Sequence, residues 1–155
     1  MIKGQNNRFP LQTFEAADRM LVEGSFTAAA MLHELALARG LITTEPMHIP
    51  TLWALTVDRN FIRDRHGRIR RLVVDGSSIG NCIPIGVALP QPVADRAERH
   101  IKTFRPILLD GARSRVLFLE KPNPLHVSVR ELRLIIAAGL VSPTPSCSHS
   151  LGHHE

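Results

Sequence analysis

The densest positive charge in this sequence is a run of arginines at positions 59, 63, 65, 68, 70 and 71. A guanidinium presents a planar fork of N–H donors that matches two phosphate oxygens at once, so such a run is suited to grip a nucleic-acid backbone. The formal net charge of +5 and a sequence pI near 10.2 point the same way. Arg63, Arg65, Arg68, Arg70 and Arg71 are the candidate DNA-contacting residues. Successive strand residues point to opposite faces, which would divide this patch in two. The competing reading is an edge hairpin whose charges discourage strand-to-strand aggregation.

Other chemistry is poorly supplied. Tyrosine is absent from the chain. Cys82 and Cys147 are far apart and form no CxxC pair, so neither a disulfide framework nor a zinc signature is expected. His33 and Glu34 do not open an HExxH motif, because position 37 is Leu. Gly76-Ser77-Ser78-Ile79-Gly80 lacks the Lys-Ser/Thr of a phosphate loop. His149, His153, His154 and Glu155 could offer metal ligands, but the surrounding serines and prolines disfavour a fixed site. No cofactor and no metal is expected.

Length and pattern define what must position the arginines. At 155 residues the chain suits one compact domain, with a 44% hydrophobic share. No apolar run is long enough to span a bilayer and the first ten residues do not read as a signal peptide, so the expectation is a cytoplasmic protein with no membrane partner. Apolar spacing predicts a helix from Leu11 to Glu23, stopped by Gly24, and a second from Phe26 to Arg39, stopped by Gly40. The second is apolar around most of its circumference and belongs in the core. A short apolar segment runs from Thr51 to Val57. Residues 60–64 and 68–74 flank Arg65-His66-Gly67 as a hairpin, and Ile83 to Leu89 reads as a third strand. A helix opened by Pro90-Gln91-Pro92 puts Val93, Ala97, Ile101 and Phe104 on one face and is expected to end at Arg105-Pro106. Val116 to Leu119 is a further apolar piece, and a last helix covers Val127 to Ala138. The expectation is an α+β domain over 11–141, mainly helical with a three-stranded antiparallel sheet, and a disordered Ser/Pro/His-rich tail over 142–155.

That order, with the motifs along it, resembles the catalytic domain of tyrosine recombinases, the phage integrase family. Phe26 to Gly40 matches the family's Ala/Leu-rich helix ending at Gly. Pro46-Met47-His48-Ile49-Pro50-Thr51-Leu52 is similar to its Pro-Met-Arg-x-x-x-Leu turn. Ile79-Gly80-Asn81 and Pro84-Ile85-Gly86-Val87-Ala88-Leu89-Pro90 resemble its Thr-Lys-Asn turn and Pro-Ile-x-x-x-Leu-Pro strand. Phe104-Arg105-Pro106, Leu117-Phe118 and Pro124-Leu125 have counterparts further on. The likeness runs from Ala16 to Ser142 and implies a partial domain, without the family's core-binding domain or its last helices. A weaker likeness links residues 11–33 to the opening of a winged helix-turn-helix regulator of the LysR type. There, however, Glu34-Leu35-Ala36-Leu37-Ala38-Arg39 replaces the polar face of a recognition helix.

The recombinase likeness implies DNA integration and recombination chemistry, and then removes it. The family uses a nucleophilic tyrosine, two arginines, a lysine on the hairpin turn and a His-x-x-Arg segment to neutralise and cleave a phosphodiester. Its first arginine falls on His48, its lysine on Gly80, and the His-x-x-Arg segment on Thr144 to Cys147. The implied function is DNA binding through backbone contacts without strand exchange, with DNA and an intact recombinase as partners. The alternatives are a helix-turn-helix regulator, or a protein-interaction module using the exposed face of residues 91–104. A duplex carrying a trapped cleavage site should therefore yield no covalent adduct with this chain on a denaturing gel, even under conditions where a recombinase gives one.

Overall fold

The computed structural model describes residues 10–74 and 84–141. Helix α1, Leu11–Val22, turns Phe14, Ala16, Ala17 and Met20 inward. It closes on Gly24, whose φ of +89° is accessible to glycine at little cost. Gly24 N–H bonds Leu21 O and Ser25 N–H bonds Met20 O, the paired bonds of a Schellman ending. Helix α2 then runs from Phe26–Thr44. It packs against α1 and against the later helices, so nearly all of its middle is buried.

Gly40 does not stop α2, contrary to the sequence expectation. Leu41 lies four residues after Leu37 and is itself fully buried, so the apolar stripe continues past the glycine. Burying that side chain outweighs the roughly 1 kcal/mol that glycine costs inside a helix. The helix ends instead where Thr43 and Thr44 turn their hydroxyls back onto the carbonyls of Arg39 and Gly40.

After the short helix α3, Ile49–Trp53, come β1, Phe61–Arg63, β2, Ile69–Val74, and β3, Ile85–Ala88. They form an antiparallel sheet in the order β1-β2-β3. Phe61 pairs with Leu72, and Leu72 pairs with Val87. An irregularity between Ile62 and Arg63 shifts the pairing of β1 against β2. Phe61, Ile69, Leu72 and Val74 cover a core shared with Leu37 and Leu41 of α2 and with Val93 and Ala97. A second core joins the other side of α2 to α1, to Phe104 and to Ile135.

Helix α4, Gln91–Arg99, continues without a break through a π-helical turn, His100–Phe104, into α5, Arg105–Leu109. The expected stop at Arg105-Pro106 is therefore replaced by a widened turn. Arg105 N–H bonds the carbonyl of His100, five residues back. Proline lacks an N–H and crowds the carbonyl four residues before it, and a π turn relieves that conflict. The axis ends at Asp110 and Gly111, both at positive φ. Val116 bridges to Thr56, which brings Leu117 and Phe118 into the core. Helix α6, Val129–Ala137, begins with a reciprocal capping box between Ser128 and Glu131.

The α+β class and the three-stranded antiparallel sheet are as the sequence predicts. Exposed apolar side chains among the described residues include Leu11 and Val22 of α1 and Phe26 at the start of α2. The body of α2 is buried, whereas Val129 and Leu132 of α6 are exposed. No helix among the described residues is long and apolar enough to cross a membrane. Because α2 is the shared wall of both cores, Leu37→Ala should cost about 2–5 kcal/mol in chemical denaturation. Val22→Ala, at a site 88% exposed, should change stability by less than about 0.5 kcal/mol.

Candidate nucleic-acid interface

The hairpin turn between β1 and β2 is organised by Asp64. Its Oδ1 accepts the backbone N–H groups of His66 at 2.8 Å and Arg68 at 3.0 Å. Its Oδ2 accepts Arg70 Nε at 2.8 Å. Gly67 follows with φ of +78°, which lets the chain reverse there. Arg70, backbone His66 and backbone Arg68 all favour the ionised carboxylate, and they hold it down at about 2 against its ordinary 3.8.

The five arginines do not act as one patch. Arg63 Nη1 donates to Glu98 Oε2 of α4 at 2.6 Å and to Gly67 O at 2.7 Å. Arg70 is divided between Asp64 and the side-chain oxygen of Gln91, at 3.0 Å. These two lie on the α4 side of the sheet, and their charge is already answered. Glu98 also takes Lys102 at 3.0 Å. Partial burial works to raise the Glu98 carboxyl, but Lys102 and Arg63 prevail and keep it below the usual range. Between the turn and α4 lies an open cleft of about 540 Å³ whose charged lining is Arg68, Lys102, Asp95 and Glu98. Both signs meet there, so the cleft is not a phosphate pocket.

The remaining three arginines are differently placed. Arg65 Nε donates to the neighbouring His66 Nε2 at 3.3 Å. Arg68 is exposed on the turn. Arg71 lies on the outer face of the sheet, where its Nη2 donates to Gly86 O at 3.2 Å. A Cβ at position 86 would sit 3.3 Å from that nitrogen, so glycine there gives the guanidinium room to lie across β3. None of the three has a carboxylate partner among the described residues.

His48 precedes α3 as its N-cap residue, exposed and without a side-chain capping bond. Gly80, Thr144 and Cys147, the other positions singled out by the recombinase likeness, lie outside the described residues. So do Cys82 and the histidines at 149, 153 and 154. Among the described residues no group of three or more His, Cys, Asp or Glu side chains is arranged to hold a metal ion.

The chain also contains a buried polar cluster that motif matching passed over. His33, Glu34 and His100 are each fully buried, and Arg105 nearly so. Arg105 donates to the carbonyls of Val116 and Ser114, tying the loop before Leu117 to α5. Burial lowers the pKa of its guanidinium, while the Glu34 charge works in the opposite direction. The signal in the sequence was an adjacent His-Glu pair inside an otherwise apolar helix. It fits no ligand motif, and its partner His100 is 67 residues away.

Comparison of the chain with protein-family models, with curated proteins and with solved structures returns no match. The sharpest local property of this surface is the Asp64 turn, and it can be measured directly. The carboxyl is held below its unfolded value, so its contribution is complete above about pH 4 and is lost as pH falls towards 2. The amide resonances of His66 and Arg68 should titrate with a midpoint near 2, and the transition should disappear in Asp64→Asn.

Proposed function

We propose that this chain is a DNA-contacting domain of recombinase-like organisation that holds duplex through backbone phosphates and carries out no strand exchange. The observation that carries this reading is the set of three arginines, Arg65, Arg68 and Arg71, exposed on one hairpin without carboxylate partners among the described residues. Charges already paired inside a protein must lose one partner to gain another, whereas these three have no such cost. The order of helices, three-stranded antiparallel sheet and helices is in keeping with the resemblance in the sequence. The interface is narrower than five arginines, because Arg63 and Arg70 are engaged by Glu98 and Asp64. Such a domain would act as a competitor or accessory on duplex also bound by an intact recombinase.

The two other readings have less to stand on. A helix-turn-helix regulator needs a helix free to enter the major groove, and the body of α2 is buried between two cores. A protein-interaction face on α4 would use its charged residues, yet Arg96 and Arg99 are both held by Asp18 of α1, at 2.7 and 2.8 Å. Glu98 is likewise occupied by Arg63 and Lys102.

Binding should be weak and steeply salt-dependent. Three phosphate contacts correspond to a slope of about −2.7 in log affinity against log salt concentration. Arg65→Ala, Arg68→Ala and Arg71→Ala should each reduce that slope by about 0.9, with little dependence on DNA sequence. Arg63→Ala and Arg70→Ala should leave it nearly unchanged. Fluorescence anisotropy with labelled duplex from 20 to 200 mM salt, on the order used to separate such slopes, reads this directly. Absence of binding at the lowest salt would overturn the proposal.

A further inference from the structure

Three fully buried ionisable side chains, His33, Glu34 and His100, meet where α2 packs against the π turn. His33 Nδ1 is 3.1 Å from His100 Nδ1, so one of these nitrogens must carry a proton and the other must accept it. His100 Nε2 faces Glu34 Oε2 at 3.4 Å, within ion-pair reach though outside good hydrogen-bond geometry. Glu34 Oε1 accepts the backbone N–H of Glu120 at 2.7 Å. A consistent arrangement has His33 donating to His100, and His100 directing its other N–H at the Glu34 carboxylate. His33 Nε2 is then left as a bare lone pair.

The surroundings of His33 disfavour a second proton on its ring. A new N–H at Nε2 would have no acceptor among the described residues. The ring is stacked on Phe104 at 4.1 Å between centroids and lies 4.9 Å from Phe14. The groups around it are predominantly cationic. Helix α4 brings Arg96 over the Phe14 ring and Arg99 over the Phe104 ring, both paired with Asp18 of α1. Helix α5 brings Arg105, whose charge is felt by Glu34. From α6, Arg130 reaches Met31 Sδ and Glu120 rather than the ring. Glu34 is the compensating anion on α2 itself, and His100 stands between it and His33.

We propose that His33, His100 and Glu34 form an acid-sensitive lock that joins α2 to the π-helical turn and opens when His33 takes up a proton. The proposal stands on the interior geometry and is independent of whether the hairpin binds DNA. Burial first, then His100, Arg96 and Arg99, press the His33 pKa far below the ordinary imidazole value. A histidine depressed in this way gives stability that is complete above its unfolded pKa of about 6.5 and is lost progressively as pH falls below it. Opening would release the π turn and with it Arg105, the side chain that secures the 114–116 loop.

The test is equilibrium denaturation of the wild-type chain, His33→Phe and His126→Asn across pH 7.5 to 4.5. Phenylalanine keeps the stack on Phe104 and cannot be protonated, and His126 is an exposed control. One proton taken up only on unfolding raises the unfolding constant about tenfold per pH unit below 6.5. The wild-type ratio of unfolding constants between the two pH limits should therefore exceed that of His33→Phe by about 100-fold. His126→Asn should match the wild type. Equal ratios in wild type and His33→Phe would overturn the proposal. If His33→Phe fails to fold, ring-nitrogen NMR of the wild type decides instead. A His33 ring that stays neutral until the protein unfolds supports the lock, and one that titrates near 6.5 in the folded protein overturns it.

Discussion

Burial of α2 on nearly every side is the constraint from which the rest of the structure follows. A helix enclosed in this way depends on other elements to meet the polar atoms it buries, and one left unmet, such as His33 Nε2, is costly. His33 and Glu34 sit in its middle, and their answers come from His100 in the π turn and from the backbone of Glu120. The two cores on either side of α2 are then joined through polar contacts as well as through packing. The sheet belongs to one core and α6 to the other, while α1 and the π turn contribute to both, Phe14 and Ile101 to the first and Ala16, Ala17, Met20 and Phe104 to the second.

The π turn is where two demands on the same helix meet. Pro106 cannot continue a regular α-helix without a clash, and His100 must face α2 for the buried network to close. Widening one turn satisfies both, because the extra residue per turn relieves the proline and allows His100 and Phe104 to point inward together. The helix therefore runs on to Leu109, carrying Arg105 into position over the carbonyls of Ser114 and Val116.

Charge on the hairpin is partitioned by the same geometry that forms the sheet. Arg63 and Arg70 lie towards α4, where Glu98 and Gln91 meet them, and Asp64 completes the arrangement from the turn. Arg71 goes to the opposite face, where it donates to the Gly86 carbonyl of β3, and Gly86 leaves space for it. Arg65 and Arg68 stand on the turn itself. A run of arginines that reads as one patch becomes a neutralised inner rim and an outer edge without carboxylate partners among the described residues.

Local regularities in the sequence were enough for the order of the long helices and the three strands, though not for the short helix α3. The three-residue periodicity of α1, the apolar circumference of α2, the turn at Gly67 and the three consecutive strands are all set by near neighbours in the chain. Helix ends were less legible: Gly40 and Pro106 are breakers by local preference, and both were overruled by packing against distant residues. The absence of tyrosine was likewise a property of sequence alone and bounds the chemistry without any structure. The buried network could not be read in advance, because His33 and His100 approach only once α2 and the π turn are packed together. Nor could the division of the arginines, since Glu98 becomes the partner of Arg63 only when α4 lies along the sheet. Side-chain type and spacing determine what each segment can become. Which charges remain free depends on contacts between segments far apart in the chain, and only the tertiary structure makes those.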